Sequence, residues 1–183
     1  MAPGPRPSAW ALGGALGVGV EGGALPQATA ATDLVLWAER GPLRLEASAL
    51  AFLPQSTSLA RDQRTEKSAV FSMLTVIGRG CALATYHRLR LGPCAAAGVV
   101  WMNGRSIGVT DPAEDSALWG GIGMDGLALL RLTSRLGLRL RGGVMWALDR
   151  PSFVIATGTG NLSAHRPSAT TTFVSIGAEL RFF

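Results

Sequence analysis

Two cysteines are the residues of this chain whose type and spacing most directly suggest covalent chemistry. Cys81 and Cys94 belong to no C-x-x-C motif and no Cys/His cluster, so the sequence predicts neither a metal site nor a cofactor. They flank a short predicted turn and share the face of two predicted strands with Arg79 and Arg90. Facing cysteines on paired strands can meet disulfide geometry, so we predict a Cys81–Cys94 disulfide. A redox-active pair is the alternative, although nothing in the sequence would activate a thiolate.

The two histidines, His87 and His165, both fall in predicted connections between strands. Around His165 the segment GNLSAHRPSA supplies Ser163 and Ser168, and serine and histidine are residue types used in Ser/His/acid hydrolysis. No acidic residue lies nearby in the sequence, and a long loop is a poor scaffold for a triad. We therefore predict no catalytic residue and expect His165 to be a solvated loop side chain.

Composition narrows the classes of protein to which the chain can belong. It is 48% hydrophobic and 16% charged, with 24 glycines and a mean hydropathy of +0.28. No apolar stretch reaches the roughly 18 residues that a membrane helix needs. A chain apolar enough for a membrane but without spanning helices favours a closed β-barrel. The net charge of +5 does not indicate nucleic-acid binding, because the arginines are dispersed singly and form no basic run.

Eight segments alternate apolar and small or polar residues with the period of two that is typical of strands. They are residues 8–22, 32–39, 43–54, 68–81, 88–102, 117–131, 136–149 and 173–183. The connections between them are alternately long and short, as in outer-membrane barrels with short periplasmic turns and longer outer loops. The sequence therefore predicts an all-β fold, an eight-stranded antiparallel up-and-down transmembrane β-barrel.

The charged residues of these strands share a face with glycine, alanine and serine, whereas leucine, valine and tryptophan occupy the other face. An eight-stranded barrel has an interior just wide enough for side chains to fill it. We predict that the charged face points inward as an ion-paired plug without an open pore, since an unpaired buried ion is costly. The predicted interior network is Glu21, Arg44, Glu46, Arg79, Arg90, Asp125, Arg139, Arg141, Glu179 and Arg181. The alternative is a lipocalin-type barrel with its apolar face inside.

Aromatic residues favour the membrane orientation. Trp10 and Phe182 fall at the same end of the first and last strands, which must be neighbours in a closed barrel. Trp101 and Trp146 fall near the opposite end of the fifth and seventh strands. Two aromatic belts of this kind are typical of proteins that sit across a bilayer.

The last strand carries a further motif. Ser175, Gly177, Leu180 and Phe182 match the C-terminal β-signal of bacterial outer-membrane barrels: a polar residue, a glycine two positions on, then hydrophobic or aromatic residues three and five beyond it. In this chain Phe183 follows the pattern and is the terminal residue. The whole chain resembles the OmpA-type transmembrane domain, a family of small eight-stranded outer-membrane barrels. The resemblance implies recognition by the barrel-assembly machinery and a location in the bacterial outer membrane.

From these patterns we expect a non-catalytic integral barrel with a structural, adhesion or envelope-tethering role. A lipid-modifying barrel enzyme and a soluble lipocalin-like binder are the alternatives. The expected partners are outer-membrane lipid and lipopolysaccharide, the latter through the charged loop 55–67, and we expect a monomer that binds no nucleic acid. Residues 1–7 are Pro-rich and suit a leader or the end of a linker, and residues 8–183 form one barrel domain. The start of the sequence does not match the expected export signal, and the alternatives are that the signal was removed, that the gene start is truncated, or that an upstream domain was cut at a Pro-rich linker.

Overall fold

The computed structural model of the chain describes residues 10–62, 65–107, 114–157 and 160–182, without the side chains of 57–67 and 153–164. Within these residues the chain forms twelve β-strands. They are β1 Ala11–Gly22, β2 Thr29–Arg40, β3 Leu43–Phe52, β4 Gln55–Asp62, β5 Thr65–Ala82, β6 Ala84–Tyr86, β7 Leu89–Ile107, β8 Glu114–Arg131, β9 Leu136–Ala147, β10 Phe153–Thr157, β11 Gly160–His165 and β12 Thr170–Arg181. No helix in this part of the chain is long and apolar enough to cross a membrane.

Antiparallel pairing closes the strands into a barrel. In order round the ring, β1, β2, β3, β5, β7, β8, β9 and β12 each pair with the next strand, and β12 pairs with β1. β4 continues the line of β3 along β5, and β6 continues the line of β5 along β7. β10 and β11 form a separate hairpin between β9 and β12. The predicted eight-stranded antiparallel up-and-down barrel is confirmed.

The connections sort to the two ends as predicted. At one end, which we call the short-turn end, the turns are residues 41–42, 87–88 and 132–135. Gly41 and His87 have φ values of 61° and 53°, in the left-handed region that tight turns require. The opposite, long-loop end carries residues 23–28 and the segment 148–169.

Several predicted connections contain strand residues, including β6 at 84–86 and the extensions of β7 and β8 at 103–107 and 114–116, and two long connections consist largely of strands. β4 and the start of β5 occupy residues 55–67, and the β10–β11 hairpin occupies much of 150–169. The first of these segments is rich in serine, threonine and charged residues, so it lacks the alternation of apolar and polar residues from which strands are predicted. The predicted leader 1–7, the strand start at Ser8 and the terminal Phe183 lie outside the described residues.

The distribution of side chains is inverted relative to a soluble barrel. In β9, Leu138 and Leu140 are 42% and 51% exposed, whereas Arg139 and Arg141 are 2% and 1% exposed. Leucine and valine side chains also face outward from β1, β2, β3 and β12. On the outward face of the ring strands, the charged side chains that the structure describes lie near strand ends, at Arg40, Arg105 and Glu114. The barrel therefore has an apolar outer wall and charges in its lumen.

Aromatic side chains border this apolar wall. Trp10 and Phe182 are about half exposed at the short-turn end, where the Phe182 amide donates to the Leu12 carbonyl at 2.8 Å. Trp101 and Trp146 are exposed near the long-loop end. The predicted adjacency of the first and last strands and the two aromatic levels are both present.

The predicted disulfide is confirmed. Cys81 and Cys94 are directly paired across β5 and β7 and are joined by a disulfide bond. Both are buried against Leu83, Leu127 and Leu129 near the short-turn end.

Candidate functional site

A belt of buried ions crosses the lumen on the short-turn side of its middle. Because β-strand side chains alternate, charges two residues apart on one strand, such as Arg44 and Glu46 or Arg139 and Arg141, both point inward. Charges from several strands meet there. We call this set the ionic belt: the acids Asp33, Glu39, Glu46, Asp125 and Glu179, and the arginines Arg44, Arg79, Arg90, Arg139 and Arg141.

Glu46 contacts three buried arginines, more than any other acid among the described residues. Arg44 Nε donates to its Oε1 at 2.7 Å, Arg141 pairs with its Oε2, and Arg139 lies 3.5 Å from the same oxygen. The side chains of Glu46, Arg44 and Arg141 are completely buried. A carboxylate shared by three guanidinium groups in a low-dielectric interior compensates charges that would otherwise be costly.

Asp125 connects β8 to β5 and β9. Arg79 Nε donates to Asp125 Oδ2 at 2.9 Å, and Arg141 Nε lies 3.7 Å from Asp125 Oδ1. Arg79 also donates to the Ser48 hydroxyl on β3. Gly143 on β9 faces Asp125, and a Cβ at this position would collide with the aspartate side chain. A glycine is therefore required here because β8 and β9 approach too closely for a second Cβ beside that of Asp125.

Within the ionic belt, a second group of ion pairs lies around Glu39, at the short-turn mouth. Arg90 pairs with Glu39, and Arg44 lies 3.5 Å from the same carboxylate. Arg131 and Arg181 approach its other oxygen at 3.8 and 3.7 Å from partly exposed positions. Charged side chains thus surround Glu39 at the mouth of the lumen.

Arg44 joins the two groups of ion pairs. It binds Glu46 on one side and, through both terminal nitrogens, Glu179 on the other. Its guanidinium also lies 4.3 Å from the centre of the Trp37 ring, a cation–π contact that orients it further.

The structure brings eight of the ten predicted network residues into the ionic belt, with Arg181 at its rim and Glu21 apart from it. Sequence reasoning missed Asp33 and Glu39 because the facing of the second strand was ambiguous. β2 carries alanine and threonine on both faces, and its inward side becomes clear only from its pairing with β1 and β3.

The long-loop half of the lumen is apolar, which the sequence analysis did not predict. Buried apolar side chains from several strands pack there, including Phe52, Phe71, Met102, Trp119 and Phe173. In this half of β3, β5 and β7 the inward positions continue the alternation of the inward arginines but are apolar, whereas the sequence analysis expected charged and small residues along the whole inward face. The described ion pairs of the lumen thus lie in the ionic belt and at the short-turn mouth, and Glu21 is a buried acid of the otherwise mainly apolar half.

The histidines have different environments. His165 is half-buried; its Nε2 donates to the Ala24 carbonyl at 2.7 Å, and its ring lies 5.4 Å from that of Phe71. The expectation of a solvated loop side chain is therefore wrong for His165, because it packs against the end of the barrel. His87 is exposed in a turn with its ring against Tyr86. The side chain of Ser163 is not among those that the structure describes.

The residues of the predicted assembly signal lie on both faces of β12. Ser175 is buried in the lumen, Gly177 pairs with Gly17 and Arg139, and Leu180 and Phe182 are 48% and 50% exposed on the outer wall. Within the described residues, no group of three histidine, cysteine or acidic side chains is arranged to hold a metal ion.

Comparison with known proteins identifies the architecture. No protein-family model and no curated protein matches the sequence. A major outer membrane protein from Thermus thermophilus is similar in structure with a TM-score of 0.66 at 14% identity, over 93% of this chain and 99% of that one. Neisserial surface protein A is also similar, with a TM-score of 0.59 at 8% identity, over 97% of this chain and 100% of that one.

A third similar structure is Ail, the attachment invasion locus protein of Yersinia pestis, in complex with the heparin analogue sucrose octasulfate. Its TM-score is 0.53 at 12% identity, over 94% of this chain and 99% of that one. The chain thus has the fold of small bacterial outer-membrane β-barrels, and the resemblance predicted from the sequence is confirmed at the level of the fold.

We predict that Glu46→Gln lowers the free energy of unfolding by about 3–5 kcal/mol, because it removes the charge that three buried guanidinium groups share. The matched control is Glu114→Gln, the same change in an ion pair with Arg105 in which the Arg105 and Glu114 side chains are 66% and 74% exposed. It should cost less than about 1 kcal/mol. Urea titration of both variants in one detergent measures the difference, and equal losses would contradict a belt that depends on its central carboxylate.

Proposed function

We propose that this protein is an integral barrel of the bacterial outer membrane with a sealed lumen, and that it acts without catalysis in a structural, adhesive or envelope-tethering role. One observation carries the proposal: a closed barrel exposes leucine, valine and tryptophan on its outside and buries arginine and glutamate inside. That surface is unfavourable in water, because a continuous apolar wall far exceeds the patches that soluble monomers expose. In a bilayer the same wall contacts acyl chains, and the backbone groups of the ring strands are paired within the closed sheet.

The packing of the lumen supports a plug. The side chains of Arg44, Glu46 and Arg141 are fully buried between the walls. The cavities on the two sides of the belt measure about 40 and 30 Å³. Each volume is sufficient for a few water molecules and not for a continuous water column. An ion crossing the belt would have to break pairs that are buried in a low-dielectric interior.

The exposed charges support an orientation with the short-turn end in the periplasm. Among the described residues the exposed charges at this end are arginines, namely Arg40, Arg88, Arg131 and Arg135. The long-loop end exposes charges of both signs, including Glu114, Asp149 and Arg166. Arginine forms bidentate hydrogen bonds with phosphate, so the short-turn rim suits the headgroups of anionic phospholipids. The long-loop end would then face lipopolysaccharide and the outside of the cell.

The external role would be carried by the long-loop end. Ail, a barrel of the same fold, was solved with a heparin analogue. In the present chain the exposed acids Glu114, Asp115 and Asp149 stand beside arginines at this end, so its described surface does not favour a polyanion. We place the adhesive or tethering contact on these loops because the sealed lumen leaves no route for transport.

A catalytic role has weaker support. The Nε2–H of His165 donates a hydrogen bond to the Ala24 carbonyl oxygen. The other ring nitrogen, Nδ1, is then the possible base, but no hydrogen bond joins it to a hydroxyl among the side chains that the structure describes. His165 therefore fits a structural role, in which it fastens the 165–168 segment to the 23–25 turn.

We predict that the wild-type barrel is recovered in the outer membrane and that its migration on SDS gels changes on heating. Phe182→Ser should reduce the heat-modifiable, membrane-assembled fraction several-fold, because Phe182 belongs to the motif that we propose the assembly machinery reads. Trp10→Ser is the matched control, since Trp10 is 52% exposed and Phe182 50% exposed at the same end of adjacent strands. Equal losses from both variants would argue against a specific signal, and a soluble wild type without detergent would end the membrane proposal.

We also expect the purified protein to give no single-channel steps in planar lipid bilayers, because the ionic belt leaves no continuous water path. The control is a detergent blank followed by a known porin in the same bilayer. Reproducible steps that depend on the added barrel would contradict a sealed lumen.

A further inference from the structure

Glu21 differs from every other buried acid that the structure describes. It is 6% exposed, and no arginine in the described part of the chain lies within ion-pair distance. Its Oε1 accepts a hydrogen bond from the Ala24 amide at 3.0 Å, whereas its Oε2 is buried without a hydrogen-bond partner among the described residues. An unpaired buried carboxylate is costly, so a position of this kind requires an explanation.

The carboxylate lines a cavity of about 40 Å³ between the ionic belt and the long-loop end. The other walls are mainly apolar or aromatic: Phe52, Met73, Trp119, Met145 and Phe173. We call this cavity the upper chamber. Such walls offer a water molecule few hydrogen-bond partners, and a buried water needs two to four of them to be held firmly. The faces of aromatic rings do attract cations.

Arg79, which approaches the Phe173 ring at the wall of the upper chamber, is paired elsewhere. Arg79 lies 5.7 Å from the centre of the Phe173 ring and donates to Asp125 at 2.9 Å. Its charge is thus compensated within the belt, and it does not pair with Glu21.

A cap separates the upper chamber from the outside. The Ser168 amide donates to the Gly23 carbonyl at 2.8 Å, and His165 binds the next carbonyl, that of Ala24. Ala24, Leu25 and Pro167 are buried beneath these contacts. Gly23 has a φ of 114°, and a Cβ there would lie 2.7 Å from the Thr170 carbonyl oxygen, so the turn needs glycine. Among the described residues, hydrogen bonds between the two loops hold this cap in place.

We propose that the upper chamber is a binding site for a small organic cation, an ammonium group with a short apolar substituent. The ammonium donates to Glu21 Oε2 and lies against the aromatic walls, while the substituent contacts Met73 and Met145. A neutral molecule of the same size lacks the charge that the carboxylate requires. This assignment depends on the closed barrel and its upper half, and it is independent of whether the lumen conducts or the chain has an adhesive role.

The experiment uses the full-length protein in detergent micelles with ¹³C-methyl methionine. Met73 and Met145 line the upper chamber, whereas Met124 is 60% exposed on the outer wall and serves as an internal reference. Titration with methylammonium chloride should shift the Met73 and Met145 methyl signals saturably and leave Met124 unchanged. Sodium chloride at equal ionic strength and methanol at equal concentration should produce no saturable shift.

Two variants test the role of the carboxylate. Glu21→Gln preserves the shape and the acceptor for the Ala24 amide, and it should weaken methylammonium binding by roughly ten-fold or more through loss of a charge-assisted hydrogen bond. Asp149→Asn removes an exposed acid from the same end and should leave binding unchanged. Even if Glu21→Gln fails to fold, the comparison of methylammonium with methanol in the wild-type protein shows whether the upper chamber prefers a cation to a neutral molecule. Absence of a saturable shift, equal binding of methanol, or unchanged affinity in a folded Glu21→Gln variant would each overturn the assignment.

Discussion

The pairing of buried charges in a narrow lumen is the constraint on which this structure depends. Eight strands leave an interior only just wide enough for side chains to fill, so an ion placed inside is costly unless it meets an opposite charge there. Glu46 meets three arginines, Arg44 connects Glu46 to Glu179, and Asp125 pairs with Arg79. These contacts link strands that are distant in the sequence. They fix which strands face each other across the lumen as well as which lie side by side.

The apolar outer wall is the counterpart of this interior. Because the charged residues occupy the inward positions, the outward positions of the same strands are free to be leucine, valine and alanine. Alternation along each strand makes the two choices inseparable: a shift of one residue in register would place arginines against the acyl chains and leucines in the belt. The proposed outer-membrane function follows from this coupling, since a barrel of this surface is stable where hydrocarbon surrounds it. The same coupling is the basis for proposing that the lumen is closed to transport.

Much of the fold could be predicted from the sequence. Three features could be predicted because they depend only on spacing along the sequence. They are the alternation of leucine and arginine from Leu138 to Arg141, the order of long and short connections, and the positions of the two cysteines. The rest depends on tertiary structure. Asp33 and Glu39 were missed because β2 has small or apolar residues on both faces, so only its neighbours define its inward side. The apolar upper half was missed because the interior was predicted from the charged residues alone, although Phe52, Met73 and Met102 share the alternation of the inward arginines on the same strands. The special position of Glu21 is also invisible in the sequence, since the absence of a partner among the described residues is a property of the folded barrel.

The central claim is the direction in which the two faces point, and methyl NMR of the protein in lipid nanodiscs tests it most directly. Acyl chains that carry a nitroxide should broaden the methyl signals of Leu140 and Ile176, which are 51% and 56% exposed on the outer wall. The signals of Val35 and Leu127, which are 0% and 2% exposed in the lumen, should remain sharp. The contrary result is broadening of Leu140 and Ile176 by a water-soluble gadolinium chelate and not by the labelled lipid, which would show that the leucine face meets water.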